Sequence, residues 1–248
     1  MTYCLGIKTR RGLVLASDSR SNAGLDQVSV CRKMHVLERP GERSFVLATS
    51  GSVSLSQSVM TMLREEFAAG RGLAEAESLY AAARCVGEQV RRVADADRAA
   101  LERDNIPFNV HLLLAGQIRG GDHDLYLIYP QGNPLRATRD CPYLQLGEAK
   151  YGRPILERGI RFDETTLEEA SKYALLSLDS TMRSNMTVGP PVDLVIYGAD
   201  ELKVRWHCRF HEADPQWRTI HTLWDQALRQ AVQSLPEIRF AEAVDRPG

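Results

Sequence analysis

Residues 1–20 of the chain read MTYCLGIKTRRGLVLASDSR. Two apolar runs, residues 3–7 and 13–16, stand on either side of a short polar segment that ends in Gly12. Since β-hairpins combine such runs with a glycine-bearing turn, this stretch predicts a hairpin that begins almost at the first residue. A core strand so early indicates an N-terminus that is tied down, because termini are normally loose. We expect no signal or leader segment before it.

The composition favours one domain of ordinary globular character. The chain has 248 residues, 44% of them hydrophobic, and a formal net charge of -1. This balance gives no electrostatic reason to expect binding to nucleic acid or to an anionic membrane. No apolar run approaches the ~20 residues of a membrane-spanning helix. We predict a cytoplasmic protein with one domain at residues 1–212 and a helical extension at residues 213–248.

The cysteines and histidines do not indicate a disulfide framework or a metal site. An odd number of cysteines without Cys-x-x-Cys spacing is typical of reduced thiols. His207 and His211 flank a predicted strand end, where a spacing of four does not bring two side chains together, and His123 lies in a predicted turn. We therefore predict no metal and no cofactor. The five cysteines are Cys4, Cys31, Cys85, Cys141 and Cys208.

The order of predicted elements is that of an α+β layered domain. After the hairpin, residues 25–35 read as a polar loop that enters a strand, and residues 44–48 as a further strand. A helix follows at about 53–69, and a second carries a stripe of small and apolar residues from Leu73 to Ala94. Strands are then predicted at 108–118, 124–129, 135–138 and 143–146, with a short helix from about Arg153.

The C-terminal third contains two well-signalled helix starts. Thr166 with Glu169, or Thr165 with Glu168, predicts a capping box for a third main helix, which we expect to fray into the polar segment 179–185. A hairpin is predicted from residues 192–197 and 203–210. Asp214-Pro215 then predicts an N-cap and a first-turn proline for a terminal helix.

Thr2 is a candidate nucleophile because of its position. Initiator methionine is generally removed before a small residue, and Thr2 would then carry both a hydroxyl and a free α-amine. That amine has an ordinary pKa of about 7.7–8.0, so near neutral pH it can take a proton from the hydroxyl. A threonine that starts a strand is more commonly just a β-branched strand residue, so the assignment depends on other residues.

Those residues carry a family resemblance. Thr2, residues 13–18, Arg32-Lys33 and Ser50-Gly51 resemble the opening of a proteasome β subunit or its bacterial relative HslV, which are N-terminal-nucleophile hydrolases. Residues 16–24 and 32–36 are most similar to the Anbu family, the bacterial ancestral β subunits.

The resemblance covers residues 2–210 and implies a four-layer αββα sandwich, to which the terminal helix is an addition. It also implies a large homo-oligomer that acts on peptides or unfolded proteins. ATP, if used, would belong to an unfoldase partner.

The resemblance also assigns site residues. Asp18 matches the buried carboxylate, Lys33 the lysine between it and the nucleophile, and Gly51 the glycine whose N–H faces the oxyanion. The segment after Asp18 is one residue shorter than usual, so Met34 would occupy the place of the lysine in an ungapped match. A thioether cannot supply the charge, and Lys33 is therefore preferred.

The supporting groups match less well. Asp179 matches the aspartate that follows the third helix, and the serine near it is Ser184 or Ser180, but the usual double glycine is missing. Glu148 stands where the family has a serine. We therefore predict a threonine-type endopeptidase and retain two alternatives: an amidohydrolase of small amides, and a weakly active or inactive scaffold of the same fold.

Overall fold

The computed structural model describes residues 2–23 and 27–238, which form strands and helices in an α+β arrangement. The strands are β1 (Tyr3–Thr9), β2 (Gly12–Asp18), β3 (Arg20–Ala23), β4 (Gln27–Val30), β5 (Met34–Arg39), β6 (Arg43–Gly51), β7 (Val110–Ile118), β8 (Asp124–Ile128), β9 (Pro134–Arg136), β10 (Tyr143–Gly147), β11 (Val192–Gly198) and β12 (Trp206–Phe210). The helices are α1 (Val53–Ala68), α2 (Leu79–Arg103), α3 (Arg153–Gly159), α4 (Leu167–Ser184) and α5 (Pro215–Gln233).

Two five-stranded antiparallel sheets form the centre of the molecule. The first has the strand order β10-β1-β2-β11-β12, and the second has the order β5-β6-β7-β8-β9. The predicted N-terminal hairpin is β1 and β2, with Cys4 opposite Ser17. It lies inside the first sheet between β10 and β11, which explains why its strands are buried on both faces.

Three clusters of buried apolar side chains show four layers. One cluster joins α1 and α2 to the second sheet, and another joins α3, α4 and the start of α5 to the first sheet. The third lies between the two sheets and includes Cys4, Leu15, Val46 and Leu113. Helix, sheet, sheet and helix therefore follow one another, and the predicted four-layer αββα sandwich is confirmed.

The two helix starts that the sequence signals most clearly are also confirmed. Thr166 accepts a hydrogen bond from the Glu169 N–H, and the Glu169 carboxylate accepts one from the Thr166 N–H. Asp214 caps α5 by accepting hydrogen bonds from two backbone N–H groups, with Pro215 in the first turn. Both caps satisfy donors that the first turn of a helix leaves without partners.

Four local predictions were wrong. The polar loop at 25–35 contains β4, which pairs with β3 as a separate hairpin. The stripe beginning at Leu73 is not one helix, because a 3-10 turn at Gly72–Ala74 precedes α2, whose N-cap is Ser78. Helix α4 does not fray at 179 but remains helical to Ser184. The strand predicted from 203 starts only at Trp206.

Helix α5 packs against α4 and the end of β12. Trp217 is 9% exposed and its ring lies 6.3 Å from that of Phe210, and Arg183 on α4 forms an ion pair with Asp225 on α5. The division into 1–212 and 213–248 stays a prediction, and residues 239–248 lie outside the described part. None of the described helices has the length and apolar character needed to cross a membrane.

Candidate active site

Asp18, the last residue of β2, is a fully buried carboxylate with four hydrogen-bond donors. Its Oδ1 atom accepts from the Lys33 ammonium at 2.6 Å and the Tyr3 N–H at 3.0 Å. Its Oδ2 atom accepts from the backbone N–H groups of Arg20 and Gly189 at 3.2 and 3.3 Å. Burial raises the pKa of Asp18, while Lys33 and the backbone donors act in the opposite direction. The carboxylate is thus the polar centre of a buried cluster.

Lys33 lies just before β5 and is fixed at both of its ends. Its side chain is buried, and Nζ donates to the Arg20 carbonyl at 2.7 Å as well as to Asp18. Its own carbonyl accepts a hydrogen bond from the Thr49 N–H on β6 at 3.0 Å. The ammonium is therefore held at the end of β2 and the start of β3, and the Lys33 backbone is held at β6. The following residue, Met34, has its side chain in the cluster between the sheets.

Thr2 is half-buried and lies just before β1. Hydrogen bonds hold both its carbonyl group and the N–H of the residue that follows. The carbonyl accepts a hydrogen bond from the Glu148 N–H at 2.9 Å, and the next N–H, that of Tyr3, is bound by Asp18. Gly147 passes so close that a Cβ there would lie 1.8 Å from the Thr2 carbonyl oxygen. Only glycine fits at position 147. The close approach of Gly147 and the two hydrogen bonds together fix the Thr2 backbone.

Gly51, at the end of β6, has a conformation that requires glycine. Its φ is +105°, and a Cβ would lie 2.2 Å from the Asn109 carbonyl oxygen. Ser52 donates its N–H to that carbonyl at 2.8 Å, and Gly51 lies opposite Val110 of β7. Strand β5 begins only at Met34 and does not reach opposite Gly51. Gly51 therefore borders the space beyond the start of β5.

That space is a cavity of about 680 Å³. It brings together three residues that the sequence singled out, Thr2, Lys33 and Gly51, with Asp18 directly beneath the lysine. A threonine, a lysine and a glycine of the predicted site thus line one cavity large enough for a substrate segment. The other residues that line it are Cys31, Arg32, Met34, His35, Val36, Thr49, Ser50, Val53, Ser56, Gln57, Met60, Thr61, Arg64 and His207.

The predicted supporting residues lie elsewhere. Asp179 is buried on α4, and its Oδ1 atom is 2.7 Å from Nδ1 of His221 on α5. Both residues line a second cavity, between α4 and α5. Ser184 is exposed at the last position of α4, and Ser180 is half-buried one turn earlier. The assignment of Asp179 and Ser184 to the catalytic site stays a prediction.

Two polar contacts near the cavity were not anticipated. Asn185, which follows α4, donates its side-chain N–H to Oε2 of Glu148 at 2.9 Å, and Glu148 is the residue that holds the Thr2 carbonyl. On the opposite side, Arg64 of α1 donates to Nδ1 of His35 at 2.7 Å. The first pair is 37 positions apart in the chain and the second 29. Of these four residues the sequence singled out only Glu148, as a departure from the family pattern.

The described residues contain no group of three or more His, Cys, Asp or Glu side chains that could hold a metal ion. All five cysteines fall within the described part and are free thiols. Cys4 is fully buried in the cluster between the sheets, and burial raises the pKa of its thiol. Its Sγ atom donates to the Thr49 carbonyl, which is the behaviour of a packed thiol and not of a nucleophile.

Comparisons with known proteins agree on one family. The family model for the proteasome subunit matches residues 2–197. The solved structure described as the helical assembly of the Anbu complex from Pseudomonas aeruginosa is 42% identical, covers 96% of this chain and 98% of its own, and has a TM-score of 0.91. Anbu from Yersinia bercovieri is 40% identical, with 97% and 100% coverage and a TM-score of 0.90.

A curated relative from an archaeon is more distant. The proteasome subunit beta of Haloferax volcanii is 28% identical over 214 residues, which cover 84% of this chain and 78% of the relative.

Proposed function

The chain belongs to the proteasome subunit family and is an N-terminal-nucleophile hydrolase similar to Anbu, and from this premise we propose that it is a threonine-type endopeptidase. The observation that carries the proposal is the cavity that Thr2 lines together with Lys33, whose ammonium is buried and paired with Asp18. A buried ion pair is costly to desolvate, so its presence at the cavity that Thr2 lines supports a chemical role.

In the proposed reaction, Thr2 supplies both nucleophile and base. Its Oγ attacks the carbonyl carbon of a peptide bond, and its α-amine takes the hydroxyl proton. The Lys33 ammonium disfavours a second positive charge nearby, which lowers the pKa of that amine and keeps it able to accept the proton. Asp18 holds the lysine in place without meeting the substrate. The N–H of Gly51 donates to the oxyanion of the tetrahedral intermediate.

Collapse of that intermediate breaks the C–N bond. The proton held by the α-amine passes to the leaving nitrogen, and the product amine departs while an ester joins the acyl group to Thr2. Water then attacks the ester carbonyl, with the α-amine again as the base, and the second product leaves as a carboxylic acid. Atoms and charges balance without a metal or an organic cofactor.

The proposal requires the removal of Met1, which lies outside the described residues. With Met1 attached, the nitrogen of Thr2 is an amide and cannot serve as a base. The proposal also includes a cytoplasmic location and a large homo-oligomer, and the helical assembly of the Anbu complex from Pseudomonas aeruginosa supports the oligomer. Peptides and unfolded segments are the proposed substrates, and short peptides need no unfoldase partner.

One observation favours the alternative of a weakly active scaffold. The buried Glu148 holds the Thr2 carbonyl through its N–H and is itself held by Asn185. Glu148 stands where the family has a serine, and its carboxylate is bound by Asn185 and paired with Lys150 at 3.5 Å, so the group next to the Thr2 carbonyl differs from the family pattern. The alternative of a small-amide hydrolase shares the same nucleophile and differs only in substrate.

Intact mass spectrometry of the purified protein tests the proposal. A peptide epoxyketone reacts with both a free α-amine and its neighbouring hydroxyl, so it labels Thr2 only after Met1 has been removed. The mass of the peptidase should therefore lack Met1 and, after treatment, increase by one inhibitor mass. Thr2→Ala is the matched control and should gain none. A chain that has lost Met1 but remains unlabelled, and cleaves neither fluorogenic peptides nor small amides, would support the scaffold instead.

A further inference from the structure

The cavity beside Thr2 has an excess of positive charge. Three cations line it, Arg32, Lys33 and Arg64, and no Asp or Glu is found among the described residues of its wall. Asp18 compensates Lys33 from below. Neither Arg32 nor Arg64 forms an ion pair with a carboxylate within residues 2–23 and 27–238. Among the described residues, the two guanidinium groups therefore leave this opening with positive charge that no carboxylate pairs.

Arg64 is held in position without being neutralised. Its Nη2 atom donates to Nδ1 of His35 at 2.7 Å, which requires an unprotonated acceptor on the ring. Burial, together with Arg64 and Arg32, lowers the pKa of His35 to about 4, so the imidazole is neutral at working pH. A neutral acceptor orients the guanidinium while its full positive charge and its remaining N–H groups stay available.

The deeper wall of the same cavity is apolar. Met34 and Met60 are 4% and 1% exposed and both contribute to the lining. Methionine adapts to the shape of what it contacts, so this part suits a chain of methylene groups. The polar side chains of Gln57 and Thr61 on α1 stand near the opening. The cavity thus combines an apolar floor with cations at its rim.

We propose that this cavity selects substrates with an acidic side chain next to the bond that is cleaved, and that Arg64 is the residue that determines the preference. A glutamyl side chain fits both parts, with its methylenes against the methionines and its carboxylate toward Arg64. Charge-assisted guanidinium–carboxylate hydrogen bonds supply the discrimination against the neutral isostere glutamine. This substrate class rests on the proposed peptidase function of the same site.

Turnover by the assembled full-length protein gives the first test. Two fluorogenic peptides that differ only in Glu or Gln before the coumarin group are compared by kcat/KM. The Glu peptide should be preferred by about tenfold, and the preference should fall at high salt because Arg64 is exposed. Arg64→Gln should bring the ratio close to one. Arg84→Gln, on an exposed face of α2 outside the cavity, should leave it unchanged.

Binding to a Thr2→Ala protein separates this inference from the proposed function. Fluorescein-labelled peptide amides that end in Glu or Gln are titrated and followed by anisotropy, a readout that needs no catalysis. Tighter binding of the Glu peptide, lost in Thr2→Ala/Arg64→Gln, upholds the acidic preference even if no peptide is cleaved. Equal binding of the two peptides, or a Glu preference that survives Arg64→Gln, overturns it.

Discussion

Tyr3 and Lys33 are held by the same carboxylate oxygen, Oδ1 of Asp18. One atom thus fixes the peptide unit that follows Thr2 and the ammonium that enters the cavity beside it. The relative position of the proposed nucleophile and the proposed cation therefore depends on a single side chain from the end of β2. The hairpin of β1 and β2 joins the two, with Cys4 opposite Ser17 one residue inward.

Asp18→Asn is expected to destabilise the fold as well as the site. It removes the countercharge of a lysine that is 5% exposed, and breaking a buried ion pair costs about 3–5 kcal/mol. Urea unfolding at a fixed protomer concentration measures this loss. The variant Asp18→Asn/Lys33→Met, which removes both charges, should recover most of it. If the loss of unfolding free energy in the double variant equals the sum of the losses in Asp18→Asn and Lys33→Met alone, Asp18 and Lys33 are not energetically coupled.

Lys33→Ala should abolish peptide turnover, with a loss on the order of 10²–10⁴ in kcat, because the α-amine of Thr2 would lose its neighbouring cation. Fluorogenic peptide hydrolysis by assembled protein measures it. Met34→Leu is the control for the alternative alignment and should keep most of the activity, since a volume-conserving change in the core is well tolerated. An inactive Met34→Leu beside an active Lys33→Ala would reverse the assignment.

Gly51→Ala should cost both stability and turnover. Alanine at a φ of +105° is strained, and its Cβ would meet the Asn109 carbonyl oxygen at 2.2 Å, so the backbone N–H must move. Gly120→Ala separates strain from position, because Gly120 also has a positive φ, +82°, but has open space around its Cβ. Both variants should have a lower urea concentration at the midpoint of unfolding than the wild type. Only Gly51→Ala should lose kcat, and full activity there would exclude its N–H as oxyanion donor.

Most helices and strands were predictable because their signals are local, whereas the four-layer arrangement was expected from the family resemblance. The Thr166 capping box and the Asp214-Pro215 start depend on residues within three positions of one another, and the N-terminal hairpin on adjacent apolar runs. The hairpin of β3 and β4 was missed because its polar residues read as a loop. The start of α2 was missed because a 3-10 turn continues its apolar stripe.

The site was predictable only in part, since its contacts join residues far apart in the chain. Asp18 and Lys33 were predicted as site residues from the family resemblance. Nothing local in the sequence couples Asp179 to His221, which lies 42 residues later on a helix beyond the residues that the family model matches. The same holds for Arg64 and His35, which meet across β5 and α1. Such pairs follow from the layer packing and not from any periodicity.

His35 should give the protein a recognisable acid sensitivity. Its pKa is about 4 in the folded chain, lowered by burial first and by Arg64 and Arg32 next, with Asp193 acting in the opposite direction. In the unfolded chain it returns to about 6.5. Between these values the unfolded state binds more protons, so the free energy of unfolding falls as the pH is lowered from about 6.5 to about 4.

His35→Gln keeps an acceptor for Arg64 but cannot titrate, so it should make that fall shallower. Urea unfolding at half-unit pH steps between 4 and 7 measures the difference in slope. His211→Gln, at an exposed position just after β12, is the matched control and should retain the wild-type slope. Parallel curves for wild type and His35→Gln would show that His35 is protonated in the folded protein, and Arg64 would then lack the neutral acceptor that holds it.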